Sequence, residues 1–188
     1  MSEINGIMED MSELQKYIVL LLDAKGNLPI KGNTWFQKEL FLISQNIKEV
    51  EEEASFESDF YGPWSENAKE QLEELEMDEV VEKSGNKMWL SEEGAQIASK
   101  LKKMTPKEIL EMIIEFKELI NDLSDEEVLT LIYFNFPKFT EESLVKNKIE
   151  KNRKFNAMRL YSKGKISIQK AAEIAGVPLE DFIKNVKK

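Results

Sequence analysis

The chain has neither cysteine nor histidine among its 188 residues. Disulfides, thiolate zinc sites and cysteine nucleophiles are therefore excluded. The commonest general base and the commonest transition-metal ligand go with the histidines. Lysine, glutamate and tyrosine still permit acid–base chemistry, so these gaps argue against an enzyme without closing that route. Long apolar runs are missing too: the longest, Tyr17 to Leu22, is far short of the ~20 residues that span a bilayer. The N-terminal stretch carries Glu3, Glu9 and Asp10 in place of a basic segment followed by an apolar one, which is not a signal-peptide pattern. The expectation is a cytoplasmic protein with no membrane contact. Arginine is scarce as well, Arg153 and Arg159 being the only two.

What is abundant is charge, and it is unevenly placed. The net charge of -10 divides into -13 over residues 1–100, -5 over residues 101–142 and +8 over residues 143–188. Such asymmetry marks parts with different partners; the alternative is that acidic body and basic tail attract each other. The division predicts an acidic domain over 1–142 and a basic tail over 143–188. The acidic run Glu49, Glu51, Glu52, Glu53 reads as a solvated turn or loop, and lacks the ligand spacing and central glycine of a calcium loop. No catalytic residue, metal site, cofactor or small-molecule substrate is indicated.

Helix signals dominate the chain. Ser12-Glu13-Leu14-Gln15 has capping-box spacing ahead of a helix carrying Leu14, Ile18, Leu21 and Leu22, which should stop near Lys25-Gly26-Asn27. A short extended piece, 28–30, leads to a second helix from about Trp35 to Ile47. Ser65 is a cap for a third helix with Ala68, Leu72 and Leu75 inward. Residues 79–82 and 87–90 flank Gly85-Asn86 and predict a β-hairpin, after which Ser91 caps another helix. Helix, helix, helix, hairpin is the order of a winged helix. Thr105-Pro106-Lys107-Glu108 and Ser124-Asp125-Glu126-Glu127 are further capping boxes, opening two helices expected to pack onto it. The predicted fold class is mainly α: a winged helix with a small hairpin, extra packing helices and a C-terminal helix-turn-helix. The aromatic group Tyr133, Phe134, Phe136 and Phe139 reads as core or dimer surface, since only Lys138 supplies interleaved basic charge for base stacking.

Several segments carry a family resemblance. Residues 35–43, with Gln37, resemble the lysine- and glutamine-rich opening helix of the Panacea (SocA-like) winged-helix superfamily. Tyr61-Gly62-Pro63-Trp64 matches its tyrosine-glycine-proline turn, and Leu90-Ser91-Glu92-Glu93-Gly94 its segment after the wing. Residues 131–140, with Tyr133 and Pro137, are similar to the closing stretch of the YwgA-type members. The resemblance covers about 12–148 and implies a winged helix used for protein contacts, in some cases as an antitoxin. Phe36 stands where leucine is usual. Residues 160–178, through Gly176 to Pro178, resemble the small helix-turn-helix of the UPF0175 and VapB-like antitoxin families. Ser167 can cap its first helix, Ala171, Ala172 and Ala175 allow close crossing, and Gly176 supplies the turn. Phe182, Ile183 and Val186 are expected to bury the second helix.

Recognition of DNA is a separate matter. The first turn of the second helix holds Glu180 and Asp181, which repel phosphates. Basic residues lie ahead of the motif instead, and can bind the backbone without reading sequence. The candidate contacts are Arg153, Lys154, Arg159, Lys163, Lys165 and Lys170. Two readings follow. One is a regulator or antitoxin-type protein whose tail meets DNA while the acidic domain meets a protein or a second copy. The other is a protein-interaction module with no DNA role.

Overall fold

The computed structural model describes residues 2–186, with side chains from residue 6 onward; Lys187 and Lys188, which end the basic tail, lie outside the described residues. The helices are α1 (Ser2–Asp10), α2 (Glu13–Asn27), α3 (Asn33–Ser44) and α4 (Lys48–Ala54). Strands β1 (Glu57–Asp59) and β2 (Gly62–Trp64) form a small pair before α5 (Glu66–Met77). Strands β3 (Val81–Ser84) and β4 (Lys87–Leu90) follow, then α6 (Glu92–Met104), α7 (Lys107–Asn121) and α8 (Asp125–Asn135). A 3₁₀ turn (Pro137–Thr140) leads to α9 (Lys146–Ser162), α10 (Ile168–Ala175) and α11 (Leu179–Val186). Two compact units result. The first joins the chain up to residue 57 with 64–122; the second joins 58–63 with 123 onward.

The first unit is the winged helix. The Ser12 hydroxyl accepts the Gln15 N–H while the Gln15 side chain accepts the Ser12 N–H, so the capping box forms as its spacing predicts. Helical geometry breaks at Ala24, and Lys25, Gly26 and Asn27 take positive φ of 60°, 67° and 59°. The turn aims the chain along the hairpin. Asn27 returns its amide to Leu90, accepting its N–H at 2.8 Å and donating to its carbonyl at 2.9 Å. Ile30 exchanges both backbone hydrogen bonds with Met88. In the antiparallel hairpin Val81 faces Leu90 and Ser84 faces Lys87, around Gly85 at φ 58°.

Gln37 is buried on α3, and its amide clamps the Ser65 backbone, accepting the N–H and donating to the carbonyl at 2.9 Å each. Ser65 in turn gives its hydroxyl to the Ala54 carbonyl and accepts the Ala68 N–H, which starts α5. Gly94 lets α6 lie on the wing: a Cβ there would come within 2.2 Å of the Val80 carbonyl oxygen. Ala68, Leu72 and Leu75 face inward on α5, as their spacing predicts.

Three expectations change. Residues 48–54 are a helix rather than a solvated loop, because Val50 and Ala54 bury one side of it and Glu53 accepts the Leu14 N–H at 2.7 Å. Thr105 does not cap α7; its hydroxyl turns back to the Leu101 carbonyl and closes α6. The helix from Ser124 belongs to the second unit, so the expected boundary at 142 falls inside that unit, and the division lies at 122/123.

The interior of the first unit also holds two charged side chains. Lys117 on α7 has no exposed surface, and its ammonium donates to the carbonyls of Leu21, Leu22 and Ala24 at 3.0, 2.8 and 3.0 Å. These are the carbonyls left open where α2 breaks, so three donors meet three acceptors. Burial pushes the ammonium down to about 8, against the pull of Glu39 and Asp23. Glu39 on α3 is fully buried, and neither of its carboxyl oxygens has a hydrogen-bond partner. Burial holds that carboxyl well above its ordinary 4.5, with Lys117 and Lys31 opposing.

Lys117→Met leaves three buried carbonyls unpaired and should destabilise the first unit by about 2–4 kcal/mol in urea unfolding, the range for breaking a buried charged hydrogen-bond cluster. A raised carboxyl contributes stability that is full below its unfolded value and is lost as pH rises through its folded value. Glu39→Gln should therefore flatten the fall in unfolding midpoint that the parent shows as pH rises above 4.5. An unchanged slope in the variant would remove Glu39 as the cause.

Candidate nucleic-acid interface in the second unit

The second unit is built around α9, which packs against α8 on one side and α10 on the other. Its inward positions are Ile149, Asn156, Ala157 and Leu160. Asn156 donates to the Thr130 hydroxyl of α8 at 2.9 Å, and Ala157 meets the Ala171, Ala172 and Ala175 group of α10. Small residues on both helices permit the close approach that the alanine spacing predicts. Ser167 accepts the Lys170 N–H at 3.1 Å to begin α10, and Gly176 ends it in the left-handed region at φ 67°. Phe182 is the buried anchor of α11, edge-on to Tyr161. Ile183 is only partly buried and Val186 is exposed, contrary to expectation, because the eight-residue helix has one turn facing the core.

Segment 58–63 joins this unit by hydrogen bonds. The Phe60 carbonyl accepts the Leu144 N–H at 3.1 Å, and Ser58 accepts the Glu142 N–H at 3.3 Å. Gly62, at φ 84°, and Pro63 are buried here, whereas Tyr61 stands exposed. Tyr133 is buried with its hydroxyl against Ser143, and Pro137 opens the 3₁₀ turn. Trp64, just across the division, donates its indole N–H to Glu66 in the first unit.

The six candidate DNA contacts are treated unequally by the fold. Arg153 turns inward. Its Nε donates to the Ile174 carbonyl and its Nη2 to that of Glu173 at 3.2 Å, with the guanidinium 4.5 Å from the centre of the Phe134 ring. It thereby closes the C-terminus of α10, and lies 3.0 Å from where a Cβ at Gly176 would stand. Arg159 and Lys163 share one carboxylate. Glu127, wholly buried, has Arg159 Nε 2.9 Å from Oε1 as an ion pair and accepts Lys163 Nζ on Oε2 at 2.7 Å. The backbone N–H and hydroxyl of Ser124 also donate to Oε2, at 2.8 and 3.0 Å. Lys170 pairs with Glu173 at 2.9 Å. Lys154 is exposed and Lys165 half-buried.

The exposed positions of α9 are Asn147, Lys148, Glu150, Lys151, Lys154, Phe155, Arg159 and Ser162. At 100° per residue, 147, 148, 151, 154, 155, 159 and 162 fall on one side of the helix, and Glu150 lies at its edge. This side is cationic, with Phe155 in its middle at 62 % exposure and the Arg159 guanidinium 5.6 Å from that ring's centre. Lys148 reaches Glu126 at 2.6 Å, and Glu127 balances only one of the Arg159 and Lys163 charges. Positive charge is left over. By contrast α5, in the position of a winged-helix recognition helix, exposes Glu66, Glu70, Glu73, Glu74 and Glu76. The first turn of α11 exposes Leu179, Glu180 and Asp181.

Phe155 was not among the expected contacts, although its signal is in the sequence: an aromatic with Lys151 four residues before it and Arg159 four after. Among the described residues no cluster of metal-ligating side chains is present and no helix is long and apolar enough to cross a membrane. No family model, curated protein or solved structure matches this chain.

Burial pushes the Glu127 carboxyl up, but the hydrogen bonds from Lys163 and Ser124 outweigh it and hold the group below its ordinary value. A lowered carboxyl contributes stability above its unfolded value and loses it as pH falls through its folded value. Glu127→Gln should therefore cost the second unit about 1–3 kcal/mol at neutral pH, the range for charged hydrogen bonds. The difference from the parent should shrink on acidification below 4.5, followed by thermal melting across a pH series.

Proposed function

We propose that this chain is a non-catalytic regulator of antitoxin type, whose second unit meets the DNA backbone through the outward side of α9. The observation that carries the reading is that side itself: Lys148, Lys151, Lys154 and Arg159 are exposed on one helix, Lys148 and Arg159 while paired with Glu126 and Glu127, and Glu150 lies at its edge. A polyanion is the complementary partner for such a surface, since phosphate neutralisation supplies most sequence-independent affinity. The exposed acids on α11 oppose a base-reading role for that helix, so the expected mode is contact with phosphates rather than with base edges. Arg153 is left out of the contact set because its guanidinium is engaged with α10. The acidic first unit, with its glutamates along α5, suits a protein partner or a second copy of the chain rather than nucleic acid.

A second reading has its own support. Arg159, Lys163 and Lys170 are already paired within the unit, which favours a protein-interaction module with no DNA role. Titration of a labelled duplex with the full-length protein across a salt series separates the two. Salt-sensitive binding is expected, and the double substitution Lys151→Gln with Lys154→Gln should reduce the log-affinity against log-salt slope by about 2, or about 1 per contact. Absence of salt-dependent binding at low ionic strength would leave the protein-interaction reading standing.

A further inference from the structure

We propose that the outward side of α9 is a docking surface for single-stranded DNA, with Phe155 as the stacking platform. The inference rests on the polyanion reading above and narrows it to one form of the polymer. A surface meant only for the phosphates of a duplex needs cations and hydrogen-bond donors, and has no use for an apolar ring at its centre. Phe155 is such a ring, 62 % exposed, with Lys151 and Lys154 on one flank and the Arg159 guanidinium 5.6 Å from its centre on the other.

The chemistry that matches is a strand whose bases are free to leave the backbone. Their π-faces stack on an aromatic side chain while neighbouring phosphates meet lysine and arginine. In a duplex those faces are covered by their neighbours, and only the edges are open in the grooves. Phenylalanine offers an edge no hydrogen bond. The arginine beside Phe155 adds a second planar group next to the ring. From Lys148 to Arg159 the surface runs roughly 16 Å along the helix at 1.5 Å per residue, long enough for the contacts to span more than one nucleotide. Between Lys148 and Arg159 the exposed side chains on this side are cations and one ring, and the polar Asn147 and Ser162 stand at its two ends, so no exposed hydroxyl or amide lies beside the ring to hold a ribose hydroxyl; DNA rather than RNA is accordingly the assigned strand.

The test uses the full chain, a labelled oligothymidylate, a duplex of equal length and the corresponding oligouridylate. Tighter binding of the single DNA strand than of the duplex is expected. Phe155→Ala and Phe155→Leu should both weaken the single strand about tenfold, within the range for loss of one stacked base, while leaving the salt slope and duplex affinity unchanged. The leucine variant keeps apolar bulk and removes the π-face; both sit at a solvent-facing helix position, and circular dichroism checks that they fold. Lys151→Gln with Lys154→Gln should instead lower the slope. Parent-like binding of the single strand by both Phe155 variants would overturn the proposal. So would tighter binding of RNA, or loss of a protein contact in the variants with no strand bound by the parent. Duplex binding without single-strand binding would sink this inference and leave the proposed function intact; failure of every nucleic acid at low salt would remove both.

Discussion

Three backbone carbonyls at the broken end of α2 converge on one buried ammonium, and the first unit is arranged around that contact. An α-helix leaves its last carbonyls without partners, and water cannot reach them inside a core. Here Lys117 arrives from α7, 95 residues away from Leu22 in sequence, and satisfies three of them. The break can then be sharp. Lys25, Gly26 and Asn27 reverse the chain in three residues, so that Asn27 reaches Leu90 and Ile30 reaches Met88. The bridge from Ile30 to the hairpin thus follows a turn whose open carbonyls are met by a lysine from α7. Nearby, burial without a hydrogen-bond partner favours the neutral form of the Glu39 carboxyl, and Lys117 pulls the other way.

The second unit uses the complementary device, a buried carboxylate collecting donors. Glu127 draws Arg159 from α9, Lys163 from the residue that caps its end, and the Ser124 N–H and hydroxyl from the start of its own helix. One negative charge ties the C-terminal end of α9 to α8, and the outward side of α9 stays rich in cations although Lys148 and Arg159 pair with Glu126 and Glu127 of α8. Arg153 does similar work at the end of α10. The tail's charge is therefore of two kinds, part consumed in building the unit and part presented outward. A count of lysines and arginines over 143–188 cannot distinguish them, and this is why the candidate contacts separated when folded.

Much of the local structure was legible because it is decided by neighbours in sequence. The capping pairs at Ser12, Ser65, Ser91 and Ser167 act over three residues, and each formed. Gly85-Asn86 and Gly176 mark turns for the same reason. Where two local signals competed the reading failed: Thr105 has the spacing of a cap for α7, yet its hydroxyl serves the carbonyl behind it. The run of glutamates at 49–53 obscured Val50 and Ala54, whose four-residue spacing is helical. Lys117 itself left a faint trace, a lysine in phase with Ile113 and Ile120 on the inward side of α7.

By itself the sequence determined the helical class, the wing, the turns and the uneven charge, because capping, periodicity and composition act at short range or by simple sum. It also removed thiol and imidazole chemistry outright. Only the tertiary structure decided that α8 joins the tail, that Gln37 clamps Ser65, that Arg153 points inward and that Phe155 stands among outward cations. Each of these turns on which distant groups meet, and on whether a buried charge finds partners enough to repay leaving water. Those are properties of three-dimensional proximity, and no window of residues along the chain contains them.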